Sequence, residues 1–182
     1  MELEGGHWLE CESGGLWLDL LITVRRAYGP TPHDRLGTAE LLGKWFAREG
    51  LSPVADPTEA DLRWARDLRE ALRSLALATF HSQSWPAADL ALLNRALADD
   101  HPLVLEGAAV RAPATAREAL ARIARQAAEH LGGPMAADLG QCGDPDCGML
   151  FLDPTGRRKW CLAQACGVRH RVRAYRERHV SP

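Results

Sequence analysis

Residues 142–169 read CGDPDCGMLFLDPTGRRKWCLAQACGVR, and this stretch decides how the chain is organised. It contains four of the five cysteines, in two close pairs that a short segment separates. Thiolates are soft ligands, and four of them complete the tetrahedral shell that Zn²⁺ prefers. Because such a shell leaves no position for water, the ion would build structure rather than perform chemistry. The sequence therefore predicts one structural Zn²⁺ with four ligands, Cys142, Cys147, Cys161 and Cys166.

The composition places the chain in a cellular compartment. It has 182 residues, 46% of them apolar, which is enough for one medium globular domain and a small second module. No run reaches the roughly 18 apolar residues that a membrane span needs. The first residues, MELE, are acidic and lack the positive region of a signal peptide. We therefore expect a cytoplasmic protein without a membrane partner, and there paired cysteines indicate a metal rather than a disulfide.

The charge is divided unevenly along the chain. The formal net charge is −2, but residues 142–182 carry +4 and residues 1–141 carry −6. A basic tail on an acidic body favours a polyanion such as nucleic acid as the partner of the tail alone. The alternative is that the metal only fastens the C-terminus and that water solvates the arginines. The candidate nucleic-acid contacts are Arg157, Arg158, Lys159, Arg169, Arg171, Arg173 and Arg176.

Helical patterns dominate the region before the cysteines. The apolar run in residues 14–28 predicts a buried helix, although its β-branched end also fits a strand. Residues 29–32, GPTP, would end that helix. Thr38 fits the N-cap of the next helix. Thr58 fits the cap of a longer amphipathic helix that fades near Phe80.

Two more helices and a hairpin are predicted further along. Pro86 suits the first turn of one helix, and residues 115–118 have the form of a capping box that opens another. Between these helices, residues 103–105 and 108–110 fit a small β-hairpin because Gly107 supplies a turn.

The predicted fold class is therefore mainly α. We expect a helical domain over residues 1–133 with one small hairpin, a linker over residues 134–141 and a four-cysteine module over residues 142–182. Within the module, residues 148–153 fit a strand or hairpin beneath the metal, and the chain after Cys166 fits a basic helix.

Several segments resemble known families. The module resembles the CGNR-type zinc finger in residues 151–153 (FLD), 158–161 (RKWC) and 166–169 (CGVR). The upstream region is similar to the ABATE domain that usually accompanies this finger, in residues 18–24, 65–72 and 92–94.

The resemblance implies a function as well as a fold. It implies a stress-induced transcription regulator whose finger binds duplex DNA and whose helical domain senses a small molecule or a stress signal. Two positions differ from the family pattern, because Val168 and Ile22 stand where Asn is usual. If the finger Asn reads a base, this chain lacks that contact, whereas the loss is mild if the Asn only caps the helix. If the upstream Asn contributes to a ligand site in this family, Ile22 leaves this chain without that contribution.

Other classes of function fit the residues to different degrees. A zinc module of this size also suits RNA binding or a protein interaction. The seven histidines form no H-x-x-x-H or H-E-x-x-H pattern, and we expect no enzyme, no catalytic residue and no cofactor besides zinc. Cys11 fits a free structural thiol. A single small finger makes few base contacts, which favours a homodimer formed through the helical domain.

Overall fold

The structure is a computed structural model, and it describes residues 13–179. The helices of its first part, the helical domain, are α1 (Leu16–Ile22), α2 (Ala39–Arg48), α3 (Glu59–Phe80), α4 (Ala87–Leu97) and α5 (Ala116–Leu131). The strands of this domain are β1 (Val24–Arg25), β2 (His33–Asp34), β3 (Leu105–Glu106) and β4 (Ala109–Val110). Cys11, which is predicted to be a free structural thiol, lies outside the described residues.

The C-terminal part, which we call the finger (residues 139–179), has little regular structure besides one helix. Its elements are β5 (Leu139–Gln141), β6 (Leu150–Leu152), one turn of π-helix (Ala163–Gly167) and α6 (Val168–His179). The mainly α fold class, the four-cysteine module and its terminal basic helix are thus confirmed.

The predicted caps explain where the helices begin. The Thr38 hydroxyl accepts a hydrogen bond in the first turn of α2. Thr58 and Asp61 form a reciprocal capping box at α3, in which Thr58 N donates to the Asp61 carboxylate at 2.9 Å. At α5 the Thr115 hydroxyl accepts from Glu118 N at 3.2 Å. Each cap satisfies backbone N–H groups that a helix start leaves without partners.

The first predicted helix is too long. It was expected over residues 14–28, but α1 ends at Ile22, and β1 turns back through residues 29–32 to pair with β2. The strand is stabilised from α3, because buried Arg69 donates to Thr23 Oγ1 and to both carboxylate oxygens of Asp34. The β-branched residues after α1 therefore join a hairpin, since a tertiary ion pair holds the second strand in place.

Helix α3 lies at the centre of the helical domain and packs against α1, α2, α4 and α5. Its apolar stripe, which includes Leu68 and Leu72, is fully buried together with Trp17 and Phe46. This continuous core gives the helical domain a hydrophobic source of stability of its own.

The segment expected to be a linker, residues 134–141, has regular structure. Residues Pro134–Asp138 form a 3₁₀-helix that contacts α3 and α5, and β5 pairs antiparallel with β6. Leu139 of β5 and Leu150 of β6 are buried in the core of the helical domain. The chain therefore enters the finger without a flexible spacer.

The finger is also fastened to the helical domain by the turn between β1 and β2. Tyr28 N donates to the Asp146 carbonyl at 3.4 Å, and the Tyr28 ring lies against Gly148. Gly148 has a φ of +65°, and a Cβ there would stand 2.5 Å from the Tyr28 ring. Only glycine fits this close contact without strain. Buried Arg73 of α3 donates to the Gly148 carbonyl at 3.4 Å from the other side.

Within residues 13–179, no helix combines the length and the apolar character that crossing a bilayer demands.

Candidate metal centre and basic helix

The four predicted cysteine ligands come together from two separate turns. Cys142 follows β5 and Cys147 precedes β6, so the β5–β6 hairpin brings this pair together. Cys142 N donates to the Met149 carbonyl at 2.8 Å and extends the hairpin into its loop end. Cys161 precedes the π-helical turn that leads into α6, and Cys166 lies within that turn, where its N donates to the Leu162 carbonyl at 2.8 Å.

The sulfur atoms form a compact cage. All four Sγ atoms lie within 4.8 Å of one another, and those of Cys161 and Cys166 are 3.3 Å apart. A tetrahedral Zn²⁺ with bonds of about 2.3 Å would separate its sulfur ligands by roughly 3.8 Å. All four cysteines are buried, and none forms a disulfide. The cage therefore fits one structural Zn²⁺.

Proton equilibria inside the cage agree with a cation there. Hydrogen bonds from the thiols of Cys147, Cys161 and Cys166 lower the pKa of Cys142 far below its usual range. The contact with Cys142 in turn raises the pKa of Cys147. The pKa of Cys166 is lowered as well, so the cage favours the thiolates of Cys142 and Cys166 over that of Cys147. Four thiolates become compatible only when a divalent ion offsets their mutual repulsion.

A small apolar and cationic layer lies beneath the cage. Phe151 of β6 is fully buried against the cysteines. The Arg158 guanidinium lies 4.3 Å from the centre of the Phe151 ring and donates to the carbonyls of Trp160 and Cys161. Arg158 was predicted as a nucleic-acid contact, but its guanidinium is engaged within the finger.

Two acidic residues fix the position of α6, and the sequence reasoning did not single them out. The Asp144 side chain is completely buried and accepts from Arg169 Nε at 2.8 Å. Arg173, one turn later, donates from Nη2 to Asp146 at 2.9 Å. One sequence signal could have revealed these pairs. Two aspartates lie two residues apart between the first two cysteines, and two arginines, Arg169 and Arg173, lie one helical turn apart after the last cysteine.

Arg169 also reaches the metal cage itself. Its Nη2 donates to Cys166 Sγ at 2.9 Å. Burial lowers the pKa of Arg169, but the hydrogen bond to Asp144 and the negative charge of Cys166 outweigh burial and raise it overall. The pairing thus orients a cation towards a ligand sulfur, as the outer partners of metal ligands commonly do.

The remaining predicted cations face solvent. Arg157 and Lys159 are exposed on the turn before Cys161, and Arg171 and Arg176 are exposed on α6. Arg178 adds a further exposed cation near the end of the helix. Among residues 13–179, these five side chains have no carboxylate at ion-pair distance. The turn and the helix meet at Trp160, whose ring lies 4.9 Å from His170 of α6 and 6.0 Å from Lys159 Nζ.

The two positions that depart from the family pattern lie on either side of the cage. Val168 is exposed at the first position of α6. Ile22 is buried and lines a cavity between β1 and the cage, beside Arg25, Arg26 and Arg169. Neither hydrocarbon side chain offers the polar atoms that an Asn would present there.

Family models agree with this architecture. Residues 14–134 match ABATE, described as a putative stress-induced transcription regulator, and residues 139–179 match the CGNR zinc finger. The chain therefore belongs to the ABATE family and carries a CGNR zinc finger at its C-terminal end. A search of curated proteins finds no match to the chain.

Proposed function

We propose that this protein is a cytoplasmic, zinc-stabilised transcription regulator that binds duplex DNA through the exposed cations of its finger. The observation that carries the proposal is that the finger arginines fall into two groups, one bonded within the finger and one exposed to solvent. Arg158, Arg169 and Arg173 bond within the finger, whereas Arg171 and Arg176 project from α6 into solvent. Cations that the fold does not neutralise remain available for phosphates.

The shape of α6 supports a duplex as the partner. The helix has 12 residues and no buried side chain, and nine of these residues are exposed. A helix of this length spans about 18 Å and fits the major groove of B-DNA. The exposed pair Arg157 and Lys159 lies on the turn that meets α6 at Trp160, where it would contact the phosphate backbone beside the groove.

In this account the metal supplies structure and the residues supply recognition. Bound zinc would hold Cys142, Cys147, Cys161 and Cys166 in one shell and so fix the start of α6. The pair of Asp144 with Arg169 then sets the direction in which the helix leaves the cage. The proposed protein is a binding protein and not an enzyme.

We also propose that the helical domain receives the signal, a small molecule or a stress condition. Its contact with the finger offers a route, because the turn after β1 touches the loop between the first two cysteines. Arg26 in that turn lies 3.7 Å from Asp146, which also pairs with Arg173 of α6. A change at the turn would therefore reach α6 through one shared carboxylate.

The test is duplex binding measured over a range of salt concentrations. Five exposed cations that neutralise about five phosphates predict that log K falls with log salt at a slope near −4.5, roughly −0.9 for each phosphate. Arg171→Ala should reduce the magnitude of the slope by about 0.9 and weaken all duplexes evenly. Arg63→Ala is the matched control, because Arg63 is an exposed arginine of α3 in the helical domain.

Competition separates the proposal from its alternatives. Single-stranded RNA and an acidic peptide should displace a labelled duplex only weakly if duplex DNA is the partner. Stronger displacement by either competitor would contradict the proposal in favour of an RNA-binding or protein-interaction module. A slope near zero would contradict it as well.

A further inference from the structure

The hairpin of β3 and β4 stands away from the rest of the helical domain. Every residue from 101 to 112, which we call the arm, is exposed. The arm is nevertheless anchored at its base, where the carbonyls of Pro113 and Ala114 accept hydrogen bonds from Val54 N and Ala55 N at 2.8 and 3.1 Å. The arm is therefore a defined hairpin that leaves the domain at a fixed point.

One face of the arm is apolar. Leu105 lies directly opposite Val110 in the register, and Leu103 lies on the same face because side chains alternate along a strand. These three side chains are exposed by 72%, 48% and 52% of their surfaces. The opposite face carries Glu106 on one strand and Arg111 on the other. An apolar face of this kind gains free energy when another surface covers it.

The edges of the arm are open as well. Arg111 N donates to the Val104 carbonyl at 2.8 Å, which makes this a hydrogen-bonded pair. The neighbouring pair, Leu105 and Val110, is then non-hydrogen-bonded, because the two kinds of pair alternate in an antiparallel ladder. The backbone N–H and C=O groups of Leu105 and Val110 therefore point outward, where a further strand can bind them.

The charges on the arm favour a second copy of the same chain as its partner. Glu106 and Arg111 are its only Asp, Glu, Lys or Arg residues, so the arm is formally neutral and self-complementary. The finger, in contrast, carries +4 from residue 142 onward and would repel a second finger. A two-stranded hairpin is marginally stable alone, and pairing with a copy would give it four strands and a shared apolar face.

We propose that the arm is a dimerisation surface, covered in solution by the arm of a second copy of this chain. The contact is isologous, since the same face and edge serve both copies about a two-fold axis. Dimerisation through the arm does not depend on the proposed DNA binding, and it can be measured without DNA.

Sedimentation equilibrium of the full zinc-loaded chain tests the proposal. The wild-type chain should sediment at about 40 kDa at micromolar concentration, twice the 20.0 kDa of one chain. Leu105→Glu should weaken the dimer on the order of 100-fold, because it removes a leucine that the dimer would bury and places an unpaired charge in the interface. Far-UV circular dichroism should show the same helix content, since Leu105 makes little contact within its own domain.

Two further variants make the result specific to the arm. Val110→Pro removes an outward N–H and should also weaken the dimer. Met135→Glu is the control, because Met135 is also an exposed apolar residue but follows the far end of α5, a helix of about 24 Å. A wild-type chain that stays at 20.0 kDa would overturn the proposal. A dimer that survives Leu105→Glu and Val110→Pro, or that Met135→Glu weakens equally, would overturn it too.

Discussion

The two parts of this molecule are stabilised by different forces. The helical domain has a continuous apolar core around α3, in which Trp17, Phe46 and Leu72 are completely buried. The finger has a core of four cysteines and Phe151, and its helix α6 buries no side chain. A segment of this size cannot gain enough from apolar burial to offset its loss of chain entropy. Its order therefore depends on the metal and on the ion pairs around it.

The difference shows how one chain combines a stable core with a solvent-exposed helix, which the proposed DNA binding requires. A helix that must contact a partner cannot also bury its side chains against its own domain. The finger solves this problem by holding α6 at its start, through Cys166 and through the pair of Asp144 with Arg169. The rest of the helix remains exposed, and the helical domain can fold independently of it.

The largest expected effect is the loss of one ligand. Cys147→Ser should abolish zinc binding and unfold residues 142–179, because metal binding and folding are coupled in small modules. The helical domain should keep its helix signal, since most of its apolar core, including Trp17, Phe46 and Leu72, lies outside the finger. Native mass spectrometry should show one zinc in the wild type and none in the variant. Equal loss of helix in both parts would contradict the division between two sources of stability.

Truncation of a side chain in the apolar core should destabilise the helical domain and leave zinc binding by the finger intact. Leu72→Ala removes a fully buried side chain and should lower the free energy of unfolding of the helical domain by about 2–5 kcal/mol. Chemical denaturation followed by circular dichroism measures this loss. Zinc stoichiometry under native conditions should stay at one. Release of zinc by this variant before the domain unfolds would show that the finger depends on the helical core.

The buried carboxylate of the finger should have an intermediate effect. Asp144→Asn keeps the shape but removes the charge that Arg169 and Arg173 share, so the zinc affinity should fall by about 10–100-fold. Competition with a zinc chelator measures the affinity. Asp67→Asn, on the exposed side of α3, should leave it unchanged. An unchanged affinity in the Asp144 variant would show that the pair orients α6 without supporting the cage.

The smallest effect concerns pH and lies in the helical domain. The Trp17 indole donates to His130 Nδ1 at 2.9 Å, and burial lowers the pKa of His130 below its usual 6.5. The folded state favours the neutral imidazole of His130. The contribution of His130 to the free energy of unfolding is therefore complete above about pH 6.5 and falls as pH drops below that value. The loss should be small, because His130 is only partly buried.

A matched variant isolates this contribution from other titrating groups. His130→Gln keeps a hydrogen-bond acceptor without the titration, so its stability should depend less on pH between 5 and 7 than that of the wild type, roughly the range in which histidine titrates. Thermal unfolding at several pH values measures the difference. Parallel pH profiles would rule out His130 as the titrating group.

Sequence reasoning identified the features that depend on local chemistry. The four ligands could be predicted because thiolate spacing is a direct requirement of the metal. The caps Thr38, Thr58 and Thr115 could be predicted because a helix start needs an acceptor within a few residues. The small hairpin of β3 and β4 could be predicted from Gly107, which adopts a φ of +65° in the turn.

The features that were missed depend on residues far apart in the chain. The strand β1 forms because Arg69, which lies 35 residues after Asp34, holds the facing strand. The segment after α5 is ordered because Leu139 reaches the core of the helical domain. Among the basic residues, charge alone could not separate Arg169, which a buried Asp144 engages, from Arg171, which faces solvent. These distinctions exist only after folding has brought the partners together.

Hydrogen exchange across the chain, with one equivalent of zinc and after chelation, tests the central claim most directly. We expect backbone amides of α6 and of the π-helical turn before it to be protected with zinc and to exchange at unprotected rates without it. The amides of α3 and α5 should remain protected in both states. Protection of α6 that persists without zinc, or protection of α3 that disappears with the metal, would contradict the claim that a thiolate-bound ion holds the finger in place.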